Sequence, residues 1–183
     1  SEILYKYQLI HMKRILNIFT SKDIILDGSD TGTGKTYIAI AICKQLDLIP
    51  FIICPKSIIS NWKSVINLFN LENSIVVNYE TLKLGKYYNK KGERILCPYM
   101  QITQEEVMKG VKKDYTWKLK ENYLLIFDEA HQCRNVQALN TKILLSSKKI
   151  KCKKLLLSAT LADSINNFGI FGYLFNFYDS IGK

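Results

Sequence analysis

The chain is poor in arginine: only Arg14, Arg94 and Arg134 among its 26 basic residues are not lysine. Histidine is scarcer still, with two, and the five cysteines (Cys43, Cys54, Cys97, Cys133, Cys152) never form a C-x-x-C pair. So few groups, odd in number and far apart, do not suit a zinc site. No apolar run approaches the roughly 18 residues a membrane span needs, and no signal-peptide pattern is present. No membrane partner is therefore expected. Cys43 and Cys54 sit within apolar runs, as buried free thiols do, which points to an intracellular, reducing compartment. No internal repeat or low-complexity linker breaks the chain.

What is present suits one domain spanning residues 1–183 with a substantial core, since 48% of the residues are apolar. The net charge of +10 invites a nucleic-acid partner. Lysine, asparagine, isoleucine, tyrosine and phenylalanine also share AT-rich codons, so charge by itself is weak support.

Apolar runs mark the elements. A helical period covers residues 3–19, through Leu9, Met12, Ile15, Leu16 and Phe19, with Gln8 just ahead of it. Buried strands are expected at 24–26, 50–54, 74–78, 123–127 and 154–157. Helices are expected at 37–42, 58–69, 138–145 and in the aromatic tail, 165–178. Strands alternating with helices through short connections argue for an α/β fold, a mostly parallel sheet with helices on both faces. Between about 83 and 121 the pattern blurs into a lysine-rich insertion. It holds a possible strand at 95–97 and, from the capping-box form of Thr103-Gln104-Glu105-Glu106, a helix starting near Thr103. Its lysines suit a phosphate backbone or simply a solvated face.

The chemistry concentrates in Ser29-Asp30-Thr31-Gly32-Thr33-Gly34-Lys35-Thr36, between a strand and a helix. Strand, glycine-rich turn, Lys-Thr and helix make a phosphate-binding loop. Its N–H groups and the positive helix end would cradle a polyphosphate. Lys35 would reach the β- and γ-phosphates, and Thr36 would ligate magnesium. Serine stands at the first position, where this pattern has glycine. Downstream, Asp128 and Glu129 end a buried strand. Asp128 would hold the magnesium and Glu129 would polarise an attacking water. Alone, such a pair is an ordinary helix cap; the loop upstream reverses that balance.

These residues resemble the superfamily 2 helicases and translocases. Residues 29–36 are similar to motif I, Asp128-Glu129-Ala130-His131 to the DEAH form of motif II, and Ser158-Ala159-Thr160 to motif III. The segment from Cys54 to Lys63, with Lys56, Ser57, Asn61 and Trp62, resembles motif Ia of the chromatin-remodeller branch. Asn78-Tyr79-Glu80-Thr81-Leu82 is similar to that branch's next motif. Motif III departs from the branch, which usually carries Gly-Thr there.

The resemblance implies a P-loop NTPase of RecA-like fold and a nucleic-acid-dependent ATPase with ATP and Mg2+ as its cofactors. Gln8 falls where the superfamily places its adenine-reading glutamine, and Thr31, Gly32, Thr33, Gly34, Lys35 and Thr36 would hold the phosphates. Ser158 and Thr160 would couple to motif II, with His131 among their partners. Lys56 and Ser57 would contact nucleic acid, DNA favoured over RNA. Trp62 reads as core, because its spacing matches its apolar neighbours. A second RecA-like domain would supply arginine fingers, since nothing after Thr160 resembles motifs IV to VI. The isolated chain is then expected to be nearly inactive. The alternative is a module that binds nucleotide and nucleic acid without hydrolysis.

Overall fold

The computed structural model describes residues 3–108, 110–160 and 165–181, side chains 107, 110 and 165–167 excepted. Helix α1 (Lys6–Ile18) leads to β1 (Ile24–Asp27) and α2 (Lys35–Gln45), then to β2 (Ile49–Cys54) and α3 (Ile59–Leu68). Strand β3 (Ile75–Asn78) runs straight into the short helix α4 (Tyr79–Leu82). Two hairpins follow, β4 (Lys86–Tyr88) with β5 (Arg94–Leu96), and β6 (Met100–Val107) with β7 (Gly110–Trp117). The chain then returns through β8 (Tyr123–Asp128), α5 (Leu139–Ser146), β9 (Lys153–Leu157) and α6 (Ile165–Leu174).

The central sheet has the order β1-β9-β8-β2-β3, and all four of its strand pairs are parallel. Parallel strands need crossovers, and helices placed on both faces bury both. Strand alternation divides the core accordingly. Ile52, Cys54, Leu124, Ile126, Leu155 and Leu157 face α1, α2 and α3. Phe51, Ile53, Leu125, Phe127 and Leu156 face α5, α6 and the second hairpin. Helix α2 is hemmed in so fully that Ile38 to Cys43 are all buried, which is why its sequence is apolar all round. The α/β expectation holds, with a central sheet that is parallel throughout.

Two expectations need correction. No helix starts at Thr103: Met100–Val107 is a strand. A capping box is a four-residue signal and needs a 3.6-residue apolar period behind it. Here the period is two. Met100 and Ile102 pair with Trp117 and Tyr115, and that face packs on the core, while Gln101 and Thr103 point to solvent. Gln8, placed ahead of the first helix, lies within its first turn.

The segment between α4 and β8 is rooted in the core. The Trp117 ring meets Phe51 edge-on at 5.4 Å, and its indole donates to the Ile143 carbonyl at 3.1 Å. Acidic residues offset its lysines: Glu105 lies opposite Lys112, which also pairs with Asp114 at 3.1 Å. Within β9 the buried Lys154 caps the Ile150 and Cys152 carbonyls at 2.6 and 2.9 Å, and burial lowers its pKa.

Candidate active site

In an open parallel sheet the crevice lies beyond the carboxyl ends of the strands, where the chain order switches. Here β8 and β9 are inserted between β1 and β2. The loop after β1, Glu129 after β8, Ser158 after β9 and the Lys56 turn after β2 therefore share one end of the sheet.

The loop is held open from behind. Asp27, buried at the end of β1, accepts the Ser29 N–H on Oδ1 at 3.0 Å, and its Oδ2 lies 3.0 Å from His11 Nε2. Ser29 and Thr33 hydroxyls meet at 3.2 Å across the loop, and Thr33 donates to the Asp30 carbonyl at 2.8 Å. Only Gly32 and Gly34 take positive φ there, +80° and +85°, so the first position has no need of glycine. Gly34 has a second constraint, because a Cβ would collide with the Gln8 amide. That amide donates to the Thr33 carbonyl at 3.1 Å and accepts the Tyr5 N–H at 2.9 Å. Buried and engaged at both ends, Gln8 braces the loop, leaving one N–H and one lone pair for any further partner.

Among the described residues, the backbone N–H groups of Gly32, Gly34, Lys35, Thr36 and Tyr37 meet no protein acceptor. They open the first turn of α2, where the helix dipole adds positive potential. Lys35 Nζ folds back onto the Ser29 and Asp30 carbonyls, at 2.6 and 2.8 Å. A run of free donors beside an ammonium group suits a polyanion, and the Thr36 hydroxyl and the Asp128 carboxylate add hard oxygens that suit magnesium.

Asp128 ends β8 and is buried. Burial pushes its carboxyl above the usual range, offset by hydrogen bonds from the Trp62 indole and the Glu129 N–H and by the Lys35 charge. The indole Nε1 donates to Oδ2 at 2.7 Å, the Glu129 N–H to Oδ1 at 2.9 Å, and the Tyr79 hydroxyl to the Asp128 carbonyl at 2.9 Å. Glu129 itself is left-handed at φ 52°, ψ 49°, an uncommon state for a side-chain-bearing residue that turns it out of the strand. His131 Nδ1 stands between two groups, 3.2 Å from Glu129 Oε2 and 3.3 Å from Ser158 Oγ.

The structure thus gathers Gln8, the loop from Thr31 to Thr36, Asp128, Glu129, His131 and Ser158 at one end of the sheet. Thr160 is exposed, and its described contact is the carbonyl that accepts from Ser158 Oγ at 2.8 Å. Lys56 and Ser57 are exposed on a 3-10 turn after β2. Trp62 is core, as its spacing implied, but its indole, the Tyr79 hydroxyl and the Asp27–His11 pair were missed as site groups. A buried indole or phenol needs an acceptor. That much is readable from sequence; a partner 66 residues away is not.

The family model described as type III restriction enzyme, res subunit, matches residues 2–163. Over 179 residues the chain is 38% identical to L364 of Acanthamoeba polyphaga mimivirus, a candidate ATP-dependent RNA helicase, covering 95% of this chain and 33% of that protein. Over 143 residues it is 26% identical to a Caenorhabditis elegans homolog of SWI/SNF-related matrix-associated actin-dependent regulator of chromatin subfamily A-like protein 1. That match covers 75% of this chain and 19% of the other. The chain therefore spans a third or less of these curated relatives. Among solved structures, the SWI2/SNF2 ATPase core of Sulfolobus solfataricus in complex with dsDNA matches with a TM-score of 0.58 at 19% identity. It covers 94% of this chain and 36% of that one, a likeness of fold.

Proposed function

The chain belongs to the family of type III restriction enzyme res subunits, as the first RecA-like domain of a superfamily 2 helicase-type ATPase, and on that premise we propose that it binds Mg-ATP in the crevice beyond β1, β9 and β8. Hydrolysis there drives movement along nucleic acid. The observation that carries this reading is the row of unpartnered N–H groups at Gly32, Gly34, Lys35 and Thr36, on the same sheet end as Asp128 and Glu129.

The loop N–H groups take the β- and γ-phosphate oxygens, and Lys35 exchanges its two carbonyl contacts for them. Thr36 and Asp128 would hold the magnesium, which when bound would supply positive charge against that developing on the transferred phosphoryl group. Glu129 accepts the proton of the attacking water as its oxygen bonds to the γ-phosphorus and the bond to the β-phosphate oxygen breaks. His131 orients the Glu129 carboxylate and links it to Ser158, giving the end of β9 a contact that responds to the γ-phosphate. Gln8 offers its remaining N–H and lone pair to an adenine edge. Lys56 and Ser57, with the N–H groups of their turn, contact a phosphate backbone and so position the track without reading its sequence.

A second RecA-like domain completes the site with an arginine finger, a group worth about three to five orders of magnitude in turnover. This chain by itself then binds ATP weakly and hydrolyses it very slowly. The test is ATPase activity of the full-length protein with and without single- and double-stranded DNA and RNA. Stimulation by one or more of them is expected; no stimulation by any contradicts the motor reading. DNA is expected to act more strongly than RNA.

A further inference from the structure

Asp128 is held from three sides before any metal arrives. Its Oδ2 takes the Trp62 indole at 2.7 Å, its Oδ1 takes the Glu129 N–H at 2.9 Å, and its carbonyl takes the Tyr79 hydroxyl at 2.9 Å. Trp62 and Tyr79 are both buried, so water does not compete for these bonds. With one lone pair of each carboxylate oxygen spent on the protein, the carboxylate cannot swing, and its free lone pairs keep one direction.

We propose that Trp62 is a positioning residue for the magnesium carboxylate: its indole fixes the orientation of Asp128, with Tyr79 anchoring the backbone beneath. This rests on the reading of Asp128 as a magnesium ligand. Both positioning groups come from segments that face the same crevice, Trp62 from the helix following the Lys56–Ser57 turn and Tyr79 from the start of α4. The metal carboxylate is thereby tied to the part of the domain that would carry the track.

Trp62 also reports on its own contact. The chain has two tryptophans, so Trp117→Phe leaves Trp62 as the one indole. Magnesium titrated into that variant with a non-hydrolysable ATP analogue is expected to shift Trp62 emission with saturation, whereas the analogue with EDTA leaves it unchanged. Polarisation of a fluorescent analogue follows binding independently. Trp62→Phe keeps an aromatic ring and removes the donor. It should raise the magnesium needed for half-saturation about tenfold, with metal-free nucleotide affinity kept within twofold. Should that variant fail to fold, the emission titration decides. Flat Trp62 emission alongside metal-dependent polarisation, or unchanged magnesium half-saturation in folded Trp62→Phe, overturns the positioning role and leaves the nucleotide site standing. Absence of analogue binding to the unsubstituted chain overturns both.

Discussion

Two segments of this chain depart from the central sheet and treat their polar groups in opposite ways. The loop 28–34 leaves backbone donors without partners and stabilises itself with a few side-chain bonds from Asp27, Ser29, Thr33 and Gln8. The hairpin 100–117 pairs its strands over eight residues and roots its base in the core through Tyr115 and Trp117. Burial and hydrogen bonding stabilise the hairpin at no one's expense. The loop leaves solvent-accessible donors that no protein group takes, so a ligand that completes them would add stability by binding the folded chain. The hairpin is built to hold the domain together, and the loop to hold something else.

The contrast can be broken at several points. The largest effect belongs to Glu129→Gln in the full-length protein, which should lower turnover by about 10²–10⁴ and keep analogue affinity within twofold. Unchanged turnover removes Glu129 from its role as base. In the hairpin, Trp117→Ala should cost about 3–5 kcal/mol of stability in urea denaturation, with nucleotide affinity of the folded fraction unchanged. A folded variant with weakened nucleotide binding would erase the distinction between the two segments. Gly34→Ala should cost about 1–2 kcal/mol for the left-handed backbone alone. Displacement of the Gln8 amide adds to that, and analogue affinity should fall with stability. Affinity that stays intact would show that this glycine serves folding only.

The smallest effect concerns Lys154, a buried cation satisfied by two carbonyls. Its folded pKa is lowered from 10.5 by burial, so between the lowered value and 10.5 the unfolded chain binds more proton. Stability therefore rises with pH across that window, and Lys154→Met should show a shallower rise over the same range. Equal slopes would mean that Lys154 is not charged against a desolvation cost.

The same contrast explains what the sequence disclosed. That the loop, Asp128-Glu129 and Ser158 share one end of the sheet was legible, because each stands directly after an apolar strand of a parallel sheet. The five sheet strands were legible because burial on both faces makes them continuous apolar runs. The hairpin was not: its inward Met100, Ile102, Tyr115 and Trp117 are diluted by solvent-facing Gln, Thr and Lys, and a Thr-Gln-Glu-Glu string imitates a helix start. The supports of the site were hidden for another reason. Trp62 on Asp128, Tyr79 on its carbonyl and His11 beside Asp27 join residues far apart in the chain, and only the folded sheet brings them together.

The central claim is that the free donors of the loop and the ammonium of Lys35 form a site for a magnesium–nucleotide polyphosphate. Equilibrium binding of a fluorescent non-hydrolysable ATP analogue to this chain and to Lys35→Ala, with and without magnesium, tests it most directly. Saturable, magnesium-dependent binding that Lys35→Ala weakens at least about tenfold, a loss of about 1.4 kcal/mol, is the predicted result. Binding that is absent in the unsubstituted chain, or equal in the two proteins, would contradict it.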